Sequence, residues 1–426
     1  MLGDRQLRRG GSTRRRWRGG CVALGLAALS CGARSGLLLE EPDASPSAAQ
    51  AGGPALPQAC PNAPQCVTGN ASDPCGPAQL VDPQCDALTR LWHCPDGARP
   101  YQRARAGAEC SPLHDGSLKI EALGGSLARF PTDDGRCLWV AETLQLGSGV
   151  SLQNVAFEPD LQAPFGTCPS EVKFASGPAT SVLFSDGSSV DPAIYYVQIT
   201  GGFRSNGATR VTYRLFNVDR TAVFGVTELG TGLGYWDATT EHILIAKHER
   251  FAVDLDYGNA SWVDGDYAYL WGCNAPGAFF AEGCVLGRRN VSDQVELYTG
   301  AGVWSSTARA SSAAIVFDDG PWISSVQRAA APSSLLLHVF ASDFGDRLQI
   351  QNANRPEGPW ADPRTLAPCA RPTADVQSFC AGPVLHAELA DPTRPGELVV
   401  SYGVASTGIG TGIPDDYWSR LTWLSQ

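Results

Sequence analysis

Four Asp-Gly pairs, Asp134-Gly135, Asp186-Gly187, Asp264-Gly265 and Asp319-Gly320, each sit between stretches in which apolar and polar residues alternate. Asp-Gly supplies the positive φ angles of a tight hairpin turn, and a side-chain period of two is the mark of a strand. The flanking runs keep that period: Cys137-Leu-Trp-Val-Ala141, Ala193-Ile-Tyr-Tyr-Val-Gln-Ile199, Tyr267-Ala-Tyr-Leu-Trp271 and Glu397-Leu-Val-Val-Ser-Tyr402. Few windows carry a helical apolar period, and Gly (47) and Pro (30) are frequent. The chain is therefore predicted to be all-β. The Asp-Gly turns recur 52, 78 and 55 residues apart, so the units are alike but unequal. About 300 residues in units of about 60 make about five. Four-stranded units of that size suit a five-bladed β-propeller, which leaves few exposed strand edges. A two-sheet sandwich is the other architecture the pattern allows.

The first part of the chain reads differently. Arg5, Arg8, Arg9, Arg14, Arg15, Arg16 and Arg18 precede a short apolar run at 21–29. That run is too short to span a bilayer, so residues 1–30 are predicted to be a secretory signal. Its end, Ala28-Leu29-Ser30-Cys31, resembles a bacterial lipobox. The resemblance implies a lipid on Cys31, a membrane partner through that anchor and, with Gly32 rather than Asp following, the outer membrane. Thr13-Arg-Arg-Arg-Trp17 also resembles a twin-arginine export signal, although the same charges suit an ordinary secretory n-region. Residues 31–59, rich in Gly, Ala, Ser and Pro, cannot bury enough apolar surface to fold and read as a tether.

Twelve cysteines remain besides Cys21 and Cys31, an even number that favours complete pairing in an exported chain. Cys273 with Cys284 and Cys369 with Cys380 would close short loops, and Cys137 would pair with Cys168 by elimination. The six from Cys60 to Cys110 would staple a small module over residues 60–112, ahead of the propeller at 113–426, with connectivity the spacing cannot choose. The absence of any CxxC pair argues against zinc. No metal or cofactor is expected. The formal net charge of −11 repels phosphate backbones and argues against nucleic acid.

Several segments together resemble a bacterial domain-of-unknown-function family, number 4185. They are Asp134-Gly-Arg-Cys-Leu-Trp-Val-Ala-Glu-Thr143, Asp264-Gly-Asp-Tyr-Ala-Tyr-Leu-Trp-Gly272, Cys284-Val-Leu-Gly-Arg288, Glu296-Leu-Tyr-Thr-Gly-Ala-Gly-Val-Trp304, Asn354-Arg-Pro-Glu-Gly-Pro-Trp360, His386-Ala-Glu-Leu389 and Val400-Ser-Tyr402. The resemblance implies a five-bladed propeller similar to glycoside hydrolase family 43, and hence a polysaccharide partner. Two positions depart from the family's pattern: Glu142 stands where Asp is usual and Ala387 where Pro is usual.

Motifs of the common enzymes are missing: no GxSxG, no Walker A loop and no helix-opening GxGxxG occurs. Glycoside cleavage needs two carboxylates, one protonated and one ionised, about 5–9.5 Å apart. Glu142, Asp254 and Glu388 are the candidate catalytic set, and Glu282 and Asp256 could line the same channel. Asp254 and Asp256 alternate with Val253 and Leu255, so both carboxylates share one strand face. His386 and Glu388, two apart, would likewise face one way and orient a sugar. Trp236 lies in a Gly-rich stretch and is a candidate for stacking on a sugar ring. The rival to hydrolysis is a binding or adhesion surface with the same fold and no competent acid pair.

Overall fold

Strand length here follows apolar alternation, because both faces of each central strand are buried. Cys137–Leu146 shows the rule: Trp139 and Ala141 point to one core, Leu138 and Val140 to another, and all four are at most 1% exposed. The chain in this computed structural model is described at residues 60, 63–86, 88–104, 109–110, 120–146, 150–169, 171–219, 221, 225–246, 258–273, 283–318, 323–329, 333–342, 345–369, 378–406 and 418–425. Apart from two single 3-10 turns, Ala310–Ser312 and Ala387–Leu389, all the regular elements among these residues are strands.

Five of the sheets hold four or more strands. The first runs from Ile120–Pro131 outward through Cys137–Leu146 and Ser151–Pro159 to Val172–Phe174. The second runs from Tyr195–Ser205 through Ala208–Val218, Val226–Asp237 and His242–Ile245 to Val182–Phe184, which joins in parallel. Ala260–Asp264 opens the third sheet, Ser325–Arg328 the fourth and Ser378–Leu385 the fifth. The fifth sheet is completed by Glu109–Cys110, which pairs with the C-terminal strand Trp418–Ser425. A segment read as part of the Cys-rich module thus belongs to the last sheet.

The leading strands of these sheets lie side by side in order: Ile120–Pro131 against Tyr195–Ser205, that against Ala260–Asp264, then Ser325–Arg328, then Ser378–Leu385, and the last against Ile120–Pro131 again. Apolar cores fill the spaces between consecutive sheets. Phe130 and Leu138 meet Val211 and Trp236 between the first and second. Phe203 and Leu233 meet Leu270 and Val285 between the second and third. Trp271 and Leu286 meet Val326 and Leu336 between the third and fourth, and Val339 and Ile350 meet Val400 and Tyr402 between the fourth and fifth. Trp139 and Phe157 meet Val399 and Leu421 between the fifth and the first. Each wholly buried large side chain contributes ~1.5–3 kcal/mol of transfer free energy.

The Asp-Gly turns use glycine as predicted at three sites, with φ of +89° at Gly135, +80° at Gly187 and +56° at Gly265; the fourth pair lies outside the described residues.

The N-terminal segment forms a three-stranded sheet of Gln79–Val81, Cys66–Thr68 and Ala98–Pro100, and a two-stranded ribbon of Gln84–Cys85 and Trp92–His93. Cys60–Cys85 and Cys66–Cys94 staple it. Cys75, however, bridges to Cys137 in the first sheet. The expected Cys137–Cys168 pair is therefore corrected, and the six module cysteines are not self-contained. Elimination failed because it treated the module as closed. Cys168 is bonded to a different cysteine. Cys273–Cys284 and Cys369–Cys380 each close an 11-residue interval. The signal, the tether and Cys31 lie outside the described residues.

Candidate functional site

The leading strands converge on a cavity of about 280 Å3, to which all five large sheets contribute. Arg129 and Pro131 come from the first sheet, Thr200–Arg204 from the second, Ser261–Val263 from the third, Ser325–Arg328 from the fourth and Val384 from the fifth. Alternation explains the mixed lining. A strand that leads its sheet turns one edge of its backbone and its small side chains toward the space, and Phe203, Val263, Val326 and Val384 add apolar surface. Gly202 is required for this approach, since a Cβ there would lie 2.5 Å from the Arg210 carbonyl and 2.8 Å from the Phe130 Cβ. Thr200, Ser261, Ser325, Gln327 and three arginines give the cavity polar groups, and half-buried Trp262 borders it with its ring stacked on Tyr269 at 5.6 Å and covered by Arg328 at 5.1 Å.

A loop of the N-terminal segment, including Ser72, Asp73, Cys75 and Pro77, forms the remaining wall. Asn70 Oδ1 accepts from the Ser72 and Asp73 amides, Asp73 Oδ1 accepts from the Cys75 amide, and the Cys75–Cys137 bridge ties the loop down. Asp73 keeps contact with solvent at the mouth, yet the surrounding walls desolvate its carboxyl and raise its pKa above the usual range, against the pull of Arg129. No feature of the sequence marked Asp73, because Asn-Ala-Ser-Asp-Pro reads as an ordinary turn.

Two carboxylates from the candidate catalytic set are described, and neither lines this cavity. Glu142 is 6% exposed. It accepts from the Tyr196 hydroxyl, from the amide and hydroxyl of Ser126 at 3.2 and 3.3 Å, and from Gln198 Nε2 at 3.4 Å. Glu388 accepts from Trp139 Nε1 and from Arg129 Nη1, both at 2.9 Å. Burial alone would raise the Glu388 carboxyl, but Arg129 and His386 outweigh it and hold the group below the usual carboxylate range.

His386 and Glu388 do meet, although not as neighbours on a strand. His386 follows the strand end at Leu385 and leads into the 3-10 turn that carries Glu388. Its Nδ1 lies 2.9 Å from Glu388 Oε1 and its Nε2 2.7 Å from Ser401 Oγ. Burial lowers the imidazole's pKa, so the ring is neutral, donating from Nδ1 to the carboxylate and accepting at Nε2 from Ser401. This has the connectivity of a Ser-His-Glu hydrolase triad. Ser401 and His386 are each 0% exposed, and the imidazole packs 4.2 Å from the Trp139 ring. No substrate carbonyl can reach the serine, so the network braces the first sheet against the fifth.

Trp236 is a core residue instead of a platform: it lies within the strand Val226–Asp237, is 4% exposed and packs 5.7 Å from Phe130. Asp254, Asp256 and Glu282 lie outside the described residues. Among the described residues no group of three His, Cys, Asp or Glu side chains could hold a metal ion. Sequence reasoning passed over Arg204 and Arg328 because single arginines in strands carry no spacing signal, and passed over Trp262 because no unit motif included it.

Residues 179–419, more than half of the chain, match a family model described as Domain of unknown function (DUF5005). The likeness to family 4185 rests on the short motifs alone. No curated protein matches the chain. Among solved structures, a protein of Bacteroides ovatus named provisionally as a hydrolase is similar at a TM-score of 0.53 and 16% identity, over 72% of this chain and 88% of its own. The GH43_1 enzyme of Xanthomonas citri complexed with xylotriose is similar at 0.43 and 12%, over 71% and 88%. An exo-beta-1,3-galactanase of Phanerochaete chrysosporium with beta-1,3-galactotriose is similar at 0.43 and 11%, over 74% and 63%. The first of these shares the fold, and the other two are too distant to bear on the argument.

Proposed function

The chain belongs to the family of domain of unknown function DUF5005, and we propose that it is a five-bladed β-propeller that binds a glycan in its axial cavity. The ring of neighbouring leading strands and the five inter-sheet cores support the architecture. One observation carries the function: a cavity of about 280 Å3, lined by all five large sheets, brings hydroxyl-, amide- and guanidinium-bearing residues together beside Trp262 without a pair of carboxylates among the described residues. Such a lining suits a sugar, which offers C–H surface to apolar side chains and hydroxyls to polar groups. Binding fits this better than hydrolysis, because Glu142 and Glu388 are consumed by internal hydrogen bonds. Hydrolysis is a second reading favoured by one group, the Asp73 carboxyl with its raised pKa. It requires a second carboxylate from Asp254, Asp256 or Glu282. Affinity electrophoresis through arabinan, xylan and galactan gels, with a reducing-end assay on the same glycans, separates the readings. Retardation without release is expected; release would establish hydrolysis, and neither would end both.

The lipid-anchored placement belongs to the same proposal: cleavage before Cys31 and acylation there would hold the propeller at a cell envelope on the 31–59 tether. Incorporation of labelled palmitate should occur in the wild-type chain and vanish in Cys31→Ser; equal labelling of both would contradict it.

A further inference from the structure

The chain is acidic, with a formal net charge of −11, but its axial cavity is not. Three guanidinium groups, of Arg129, Arg204 and Arg328, face one carboxylate, that of Asp73. Two of the three are engaged. Arg129 is held by Glu388 at 2.9 Å and by the Cys75 carbonyl. Arg328 donates to the Ser334 carbonyl at 2.9 Å, lies 3.5 Å from Asp264 and covers the Trp262 ring at 5.1 Å. Arg204 makes no hydrogen bond or contact ion pair among the described residues, and Asp73 senses only its charge. A half-buried guanidinium walled by protein on several sides and left without a partner favours an anion. Its planar fork matches a carboxylate or sulfate with two parallel hydrogen bonds.

We infer that the sugar this cavity takes is anionic, with a carboxylate or sulfate group paired to Arg204 while its ring occupies the space beside Trp262. The inference rests on the glycan-binding reading and narrows it to a ligand class. It also gives Asp73 an opposite part: facing the same space, its charge weakens the hold on an anion and sets an upper limit on affinity.

The test uses the full chain, with polygalacturonate, a sulfated galactan and neutral galactan as probes in affinity electrophoresis. The wild-type chain should be retarded by at least one acidic glycan and far less by the neutral one, and the two acidic arms distinguish carboxylate from sulfate. Arg204→Gln should weaken the acidic interaction about tenfold. Arg204→Lys should restore part of it. Asp73→Asn keeps the Oδ1 acceptor for the Cys75 amide and removes the charge, so it should strengthen acidic binding several-fold. Unchanged melting temperatures show that each variant is folded. Equal retardation by neutral galactan, no loss in Arg204→Gln, or weakening in Asp73→Asn would each overturn the inference while leaving glycan binding intact. Retardation by no glycan would instead remove the reading beneath it.

Discussion

Arg129 joins two parts of the molecule at one side chain. It donates to the Cys75 carbonyl in the N-terminal loop and pairs with Glu388, whose side chain is 2% exposed. Arg129→Ala strands a buried carboxylate, and such a loss costs ~3–5 kcal/mol. The denaturation midpoint should fall accordingly, and Glu388→Gln in the same chain should recover part of the loss. An unchanged midpoint would show that the pair is idle. His338 gives a separate handle. It is stacked between Phe317 and Phe340, at 4.0 and 4.7 Å, and burial pushes its pKa down to about 3. Unfolded, the ring titrates near 6.5, so as pH falls protons bind the unfolded chain first. Its contribution is complete above that value and drains away as pH drops toward the folded value. His338→Phe should therefore lose less stability than wild type between pH of about 7 and about 4; identical losses would contradict the buried, neutral assignment. At this scale the sequence was legible where spacing carried meaning. His386 and Glu388 were recognisable as partners because two residues apart brings side chains together on a strand, and here a turn did the same. Asp73, Arg204 and Trp262 were not legible, since each becomes meaningful only when distant strands bring it to one cavity.

Individual elements explain why the cavity stays open and where the sequence misled. Tyr195–Ser205 approaches Ile120–Pro131 through Gly202, where an added Cβ meets backbone and a side-chain root instead of a flexible tip. Gly202→Ala should destabilise by ~1–3 kcal/mol through overpacking. Retained stability would mean the two strands can part. The Cys75–Cys137 bridge closes a 62-residue separation and fastens the Asp73 loop to the first sheet. Chain entropy for a loop of that length gives ~4 kcal/mol. Replacing both cysteines with serine should lower the thermal midpoint and free the loop to cleavage near Asp73, as read by limited proteolysis; a resistant loop would show that Arg129 alone suffices. Hairpins were the legible elements, because Asp-Gly and alternation declare them locally. The hairpin Ser205-Asn206-Gly207-Ala208, with positive φ at both central residues, was signalled equally well by its Asn-Gly. Disulfide partners were not legible, since a bridge between separate elements leaves no trace in spacing.

For the molecule as a whole, the all-β class followed from period and turns, but the order of the sheets came from contacts that no local pattern encodes. Glu109–Cys110 precedes the first large sheet in the chain and completes the last one, tying the two ends of the fold together. The leading strands bring one to five residues each to a single cavity. Chemistry assembled in that way is spread over some 310 positions, from Ser72 to Val384, and a reader of the chain sees only isolated polar residues. The most direct test is a crystal structure of the full chain with whichever glycan retards it. A sugar ring in the cavity beside Trp262, bounded by Thr200, Ser261 and Arg204, is the predicted result. A ring bound at an outer sheet edge, with the cavity holding only water, would contradict the account.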